Sequence, residues 1–358
     1  MSETMRDEMT VASMELPGDL APRLLRWYDC GHRDLPWRET PMPYYVWISE
    51  IMLQQTRVEA VLPYFNRFIK TLPNIRALAE AEEDVLLKLW EGLGYYRRAY
   101  NLQKAARVVM EQYGGEMPRS FEQLRGLPGI GDYTAGAVAS IAYGEPKPAV
   151  DGNVLRVLAR VAGDYRDVMK SGVKRDFSKA LEALYPADRC GDFTQSLMEL
   201  GAMVCLPNGA PRCGRCPLAD VCRANLRHAV DELPVKTPKK PRKIQERTVF
   251  VLVRDGAVAV RKRPEEGLLA GLWELPNTDG HLDPEQAEEY LRSLGLTPER
   301  LEPDRDAKHI FTHIEWHMRA YRAVCRGTGA GLRWITAGQL ERDISLPSAF
   351  RHWDIGAL

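Results

Sequence analysis

No stretch of apolar residues in this sequence approaches the ~20 that a helix needs to cross a bilayer, although 45% of the residues are hydrophobic. Net charge is missing too, since 49 lysines and arginines are matched by 49 aspartates and glutamates. Without a global field to draw nucleic acid or an anionic membrane, any grip on phosphate must come from a local basic face. The N-terminal stretch MSETMRDEMTVASMELPG is acidic and has no apolar centre, so no secretory signal or transit peptide is expected in it. Internal repeats and long low-complexity segments are lacking as well. These absences predict a cytosolic protein with no membrane attachment. A core is not lacking: 358 residues, 27% of them charged, have the make-up of an ordinary globular protein and the length of two domains.

Residues 20–230 read as mostly helical. VWISEIMLQQTRVEAVLPYFNRFIK, Val46 to Lys70, repeats apolar residues at helical spacing. EDVLLKLWEGLGYYRRAYNLQKAARVVMEQYGG does the same, with Gly92 and Gly94 marking a turn. Ser120 and Gln123 have capping-box spacing and open a short helix that closes near Gly126. Composition shifts at 231–247, DELPVKTPKKPRKIQER, where three prolines and a run of Lys and Arg read as a solvated linker. Beyond it, RTVFVLVRDGAVAVRKRP alternates about Asp255-Gly256 as a hairpin does. DPEQAEEYLRSLGL then reads as helix and HIFTHIEWHMRAYRAVC as strand, so the last third is a smaller α/β domain. Within that strand His309, His313 and His317 alternate with apolar residues, which makes them a polar face in preference to a metal site.

Of seven cysteines, four crowd into CLPNGAPRCGRCPLADVC, placing Cys205, Cys213, Cys216 and Cys222 at spacing C-x7-C-x2-C-x5-C. In a reducing compartment this pattern points to a metal site more than to disulfides. Four thiolates suit either tetrahedral zinc or a [4Fe–4S] cluster. Cys30, Cys190 and Cys325 stand apart as ordinary thiols.

LPGIGDYTAGAVASIAYG, Leu127 to Gly144, joins two helical stretches through a glycine-rich turn, a helix-hairpin-helix pattern. Gly129 and Gly131 allow positive φ, which turns backbone N–H groups outward as an anion nest. The following helix adds its positive end, so the turn suits a phosphate; it equally suits a tight connection between packed helices. Glu50 lies on an apolar helical face beside Val46, Trp47 and Leu53. There it is either an acid with a raised pKa, fit for proton donation, or a buried partner of an arginine. Asp151 precedes a helical pattern in KPAVDGNVLRVLARV, so it is an N-cap, a carboxylate held ionised near a developing cation, or both.

Together LPWR, SEIMLQQT, GLGYYRRAYNL, LPGIGDYTAGAVAS, AVDGNV, MELGAMVC and the cysteine cluster resemble the endonuclease III superfamily, and within it the MutY-type adenine DNA glycosylases. The likeness runs over nearly the whole chain. It departs between the first two cysteines, which are separated by seven residues where the family usually has six. The resemblance implies a multidomain protein: an all-α helix-hairpin-helix glycosylase core with a [4Fe–4S] cluster, then a C-terminal α/β Nudix-like domain. It puts the catalytic region at 1–230, as a six-helix domain over about 30–142 and a cluster-bearing domain built from the N-terminal helix and about 143–230. The linker 231–247 and a Nudix-like 8-oxoguanine recognition domain over 248–358 follow.

The resemblance also assigns roles. Glu50 matches the general acid that protonates N7 of a flipped-out adenine, Asp151 the carboxylate that stabilises the oxocarbenium-like sugar, and Asn153 a supporting polar residue. Gln55 and Tyr95 match residues that fill or wedge the opened stack, and Leu127, Gly129 and Gly131 form the DNA-gripping hairpin. Tyr133 stands where bifunctional relatives carry the lysine that forms a Schiff base; a phenol cannot. That implies a monofunctional glycosylase, whose tyrosine either hydrogen-bonds near the reacting sugar or Asp151 or simply packs at the helix start. Phe311, Thr312 and His313 resemble the lesion-reading residues, with threonine where serine is frequent. GLLAGLWELP resembles the Nudix fold, but the metal-binding core of active Nudix hydrolases is missing. The implied partner is double-stranded DNA with an A·8-oxoguanine or A·G mispair, bound by a monomer in the cytoplasm, at the nucleoid in a bacterium. The implied cofactor is a [4Fe–4S] cluster held by the four clustered cysteines.

Overall fold

The computed structural model describes residues 15–207, 209–238 and 240–355; most of the N-terminal stretch expected to lack a targeting signal lies outside them. The chain forms two compact units, one made of residues 1–80 and 100–238, the other of 81–99 and 239–358. Among the described residues no helix is long and apolar enough to cross a membrane.

The first unit is helical. Its main core joins Leu20 and Leu24 of the helix Leu20–Asp29 to Val154 and Leu158 of Gly152–Ala162, Phe177 of Ser171–Glu182, and Phe193, Leu197 and Leu200 of Cys190–Met203. A further helix, Asp132–Tyr143, packs against both Pro43–Leu53 and Cys190–Met203. Its sequence, DYTAGAVASIAY, is small on every side, and that is what lets backbones approach. A Cβ at Gly136 would lie 2.1 Å from the carbonyl oxygen of Pro148, and one at Gly191 of the neighbouring helix 3.0 Å from Cα of Ile141. Ser140 closes the contact from within, donating to Gly136 O at 2.7 Å and accepting from Thr194 Oγ1 at 2.8 Å. Gly144, in the left-handed region at φ 68°, ends the helix.

The second unit is built on a seven-stranded sheet. Its strands are β1 (Lys243–Arg254), β2 (Ala257–Lys262), β3 (Trp273–Glu274), β4 (Asn277–Asp279), β5 (Thr297–Ile310), β6 (Ile314–Arg326) and β7 (Arg333–Thr336). The order is β3-β2-β1-β6-β5, with β4 paired to β1 and β7 to β2. β1 and β6 are parallel and the other pairs antiparallel. β1 is covered on both faces, which explains its unbroken apolar run TVFVLV. Val249 and Val251 face a core with Ile344, Phe350 and Trp353, while Phe250 and Leu252 face Ala287 and Leu291 of the helix Pro284–Ser293. That helix opens on a full capping box between Asp283 and Gln286.

Three expectations need correction. The linker is shorter than 231–247: Leu233 is buried, Val235 O accepts from Val168 N at 3.2 Å, and β1 already begins at Lys243. The charges that looked like linker sit on the exposed start of β1, whose pairing with β6 begins at Lys243 and Ile314. Second, HIFTHIEWHM is not one strand. It turns at 311–313 between β5 and β6, where Phe311 N donates to Ile314 O at 2.8 Å, so the alternation of three histidines along one strand is lost. β5 itself was hidden because its TPERLEPDRDAKHI is charged throughout, as suits an exposed edge strand. Third, the proposed 30–142 domain is interrupted, because 81–99 groups with the C-terminal unit. From the helix Glu83–Trp90, Lys88 Nζ donates to the carbonyls of Leu340 at 3.0 Å and Ile344 at 3.1 Å, and Glu91 just after it accepts from Leu346 N at 2.8 Å.

Gly136→Ala sets a methyl against a backbone carbonyl that has no rotamer to change. We expect a loss of about 3 kcal/mol, seen as a melting temperature lower by roughly 6–12 °C. Unchanged melting would show that the two backbones can separate without cost.

Candidate active site

The helix Pro43–Leu53, PYYVWISEIML, starts on a proline at its first turn and is apolar almost all round, so nearly every residue from Tyr44 to Met52 is buried. Glu50 is carried inside with them and is only 4% exposed. Burial pushes its carboxyl up to about 7, and the negative charge of Asp151 pushes the same way; a hydrogen bond from Tyr133 and the charge of Arg38 oppose them. The opposition falls short because desolvation is the largest contribution.

Tyr133 stands in the first turn of Asp132–Tyr143, directly after the glycine hairpin, and its hydroxyl donates to Glu50 Oε2. The sequence allowed a bond to Asp151 or to the sugar; the partner present is the acid itself. Burial, reinforced by Glu50 and Asp151, holds the phenol well above its ordinary value. It is therefore a donor and not a base.

Asp151 caps the helix Gly152–Ala162. Its Oδ1 accepts from Val154 N at 2.7 Å and its Oδ2 from Asn153 Nδ2 at 2.9 Å. Burial raises its carboxyl, while the bonds from Val154 and Asn153 lower it. The N-cap reading of this residue holds, and its charge is also one of those that raise Glu50. Asn153 is fixed in turn, its Oδ1 accepting from Arg156 Nη2 at 3.0 Å. Arg156 also donates to Gly201 O and Cys205 O, each at 2.8 Å.

The hairpin differs from expectation at Gly131. Gly129 has φ 76°, and a Cβ there would meet Asn101 Cβ at 2.6 Å, so glycine is required. Gly131 is extended, at φ −98°, and serves as the N-cap of the next helix. Leu127 is 3% exposed, its N–H bonded to Leu124 O and its carbonyl to Ile130 N, leaving nothing to offer a phosphate. Within the hairpin it is an apolar residue that packs inward. Gln55 (φ 61°) is exposed just past the end of the Glu50 helix.

In the second unit Tyr95 (φ 48°) is 48% exposed, and its hydroxyl lies 3.2 Å from Thr312 Oγ1. Thr312 and His313 are exposed at the tip of the β5–β6 turn. Phe311 is anchored beneath them, edge-on to Trp316 at 4.9 Å, its carbonyl accepting from Arg242 Nε at 3.1 Å. Lys243 N donates to His313 O at 3.0 Å, closing the turn.

Cys205, Cys213, Cys216 and Cys222 line one cavity in the first unit, with Val157, Leu200 and Leu218 among its apolar walls. Arg160 Nη1 lies 3.2 Å from Cys205 Sγ. Burial pushes Cys216 up to about 12 and raises Cys213 and Cys222, and the sulfurs repel one another as thiolates. Such a donor set fits a positively charged metal centre. Among the described residues, no three His, Cys, Asp or Glu side chains are placed to hold a single metal ion. Asn208, in the loop lengthened by one residue, lies outside the described residues.

Sequence reasoning missed one feature. Glu199, 2% exposed, is gripped by Arg33 and Arg38 together. LPWR and MELG carried the signal only as a family likeness, since helical periodicity cannot say that residues 161 apart pair.

Residues 48–183 match the family described as HhH-GPD superfamily base excision DNA repair protein, and 248–353 match the NUDIX domain. The helical unit resembles a solved thermostable thymine-DNA glycosylase at 29% identity and TM-score 0.52, covering 58% of this chain and 95% of that one. A trapped endonuclease III–DNA covalent intermediate is similar at 25% identity and TM-score 0.51, covering 60% and 99%. The fold and site thus define a helix-hairpin-helix base-excision glycosylase joined to a Nudix-like domain. A mouse adenine DNA glycosylase is 35% identical over 94% of this chain and 79% of its own length. The chain belongs to the adenine DNA glycosylase family.

Protonation of Glu50 is linked to stability. Its folded value of about 7 exceeds the ordinary 4.5, so the neutral form favours folding. That contribution is complete below pH 4.5 and is lost as pH rises through 7. Glu50→Gln keeps a neutral group at every pH. We expect it to melt with the wild type at pH 4 and above it at pH 8, by on the order of 2–3 kcal/mol. A variant less stable than the wild type at pH 8 would mean that the carboxylate is well solvated.

Proposed function

We propose that this glycosylase removes adenine mispaired with 8-oxoguanine or guanine, and that it is monofunctional. The observation that carries the reading is Glu50: a buried carboxyl raised to about 7, facing a tyrosine where a Schiff-base enzyme needs an amine. The adenine is rotated out of the stack, because its glycosidic bond is inaccessible within the duplex. Glu50 gives its proton to N7, the C1′–N9 bond breaks, and the bonding electrons leave with the base. Asp151 stabilises the positive sugar, with Asn153 holding one of its oxygens. Water adds at C1′, its surplus proton is lost, and an abasic site remains.

Division of labour along the chain follows the same reading. Gly129 and the N-terminal end of Asp132–Tyr143 take a backbone phosphate, with Gly131 extended between them. Gln55 and Tyr95 fill the gap left by the base. The turn bearing Phe311, Thr312 and His313 reads the opposite base; an exposed hydroxyl at Thr312, steadied by Tyr95, supports this. Cys205, Cys213, Cys216 and Cys222 hold a [4Fe–4S] cluster. Four cysteine sulfurs about one cavity support this. The four cysteines would hold such a cluster as a structural element beside Val157 and Val161, and Arg212 and Arg215 of the same loop would face phosphate.

Duplexes with adenine opposite 8-oxoguanine, guanine or thymine test the reaction. We expect strand breaks at adenine in the first two, only after alkali, and no adduct trapped by borohydride. Glu50→Gln should bind these duplexes and lose at least about a hundredfold in excision rate. Breakage without alkali, or a trapped adduct, refutes the monofunctional reading; equal excision opposite thymine refutes the mispair specificity.

The cofactor has a separate check. Purified protein should be brown, absorb in the visible blue and hold about four irons per chain. A colourless protein with one zinc per chain overturns the cluster.

A further inference from the structure

Tyr95 holds a backbone conformation that a large side chain rarely adopts. Its φ of 48° lies in the left-handed region, where Gly94 also sits at 68°. Glycine enters that region freely, but a tyrosine remains there only where its surroundings fix it. Packing of the ring into a core is not what fixes it, since Tyr95 is 48% exposed.

The turn 92–95 is gripped instead by Arg98, which follows it in the first turn of the helix Arg97–Gln112. Arg98 Nη2 donates to the carbonyls of Leu93 at 3.0 Å and Gly94 at 3.1 Å. Trp90 Nε1 donates to the same Gly94 carbonyl at 3.1 Å, and Arg98 N donates to Tyr95 O at 2.9 Å. The guanidinium also lies over two rings, 5.2 Å from the centroid of Trp90 and 5.6 Å from that of Tyr95. Trp90 is fully buried, so one cation ties an exposed ring to a fixed one. Burial pulls the guanidinium down to about 10, which leaves it charged at neutral pH. The far end of the Tyr95 ring is held as well, with Thr312 Oγ1 3.2 Å from its hydroxyl.

We propose that Arg98 is a positioning residue for base flipping: through the carbonyls of Leu93 and Gly94 and through the Tyr95 ring, it holds Tyr95 as a preformed wedge. A mobile tyrosine would have to be ordered at the moment the pair opens, and that entropy would be subtracted from its contact with the bases. A ring already in place enters the stack without that loss. Lysine cannot stand in for Arg98, because an ammonium is a compact charge without the planar fork that serves carbonyls and rings together. The inference rests on Tyr95 filling the opened stack, as proposed above.

The test is a double-mutant cycle with two readouts on an A·8-oxoguanine duplex: single-turnover excision, and the brightening of a 2-aminopurine next to the target adenine as the pair opens. Tyr95→Ala should slow both by roughly tenfold to a hundredfold, the worth of one aromatic stack. Arg98→Lys should slow both when Tyr95 is present and have no further effect on Tyr95→Ala. Gly94→Ala adds a methyl that meets open space but strains the same turn. It decides the matter if Arg98→Lys does not fold, and it too should slow opening only when Tyr95 is present. Opening at the wild-type rate in Arg98→Lys, or an equal loss with and without Tyr95, would overturn the role of Arg98. Tyr95→Ala with wild-type opening and excision overturns the wedge itself, and this inference with it.

Discussion

How closely the helix Asp132–Tyr143 can lie to its neighbours decides the rest of the site. With glycine, alanine and serine in place of larger residues, it approaches the chain at Pro148 to a distance that no Cβ fits. The glycine hairpin fixes where this helix begins, and its first turn delivers Tyr133 to Glu50. The chain then returns through Pro148 to Asp151, so one close backbone contact sets three of the polar residues.

Two carboxylates share this space and differ through their surroundings. Glu50 has one hydrogen-bond donor and apolar walls, while Asp151 has an amide N–H and an asparagine N–H aimed at it. Burial raises both carboxyls; the Tyr133 hydroxyl opposes the rise at Glu50, and the two N–H donors oppose it at Asp151.

Much of this could be read from the residues alone. Glu50 in an apolar helical stretch, Asp151 before a helical pattern and four cysteines in eighteen residues are local signals, and local signals survive translation into sequence. Pairings across the chain do not survive it: Glu199 with Arg38, and Tyr133 with Glu50 in place of Asp151, depend on helix packing that periodicity does not encode. The hairpin glycines show a subtler limit. Both looked alike, yet only Gly129 needs the left-handed region. The linker was misjudged because charge marks exposure, and an exposed strand edge has the same composition as a solvated tether.

The interruption at 81–99 bears on how this molecule comes apart. A cut after Pro238 looks, along the chain, like a clean separation of the two units. It would strip Lys88 and Glu91 of carbonyl, amide and Arg351 partners that all lie beyond residue 339. The truncated helical piece would keep only the Lys88–Glu91 ion pair, 2.8 Å long, of these contacts. The C-terminal piece in turn would be missing a helix that it cannot supply.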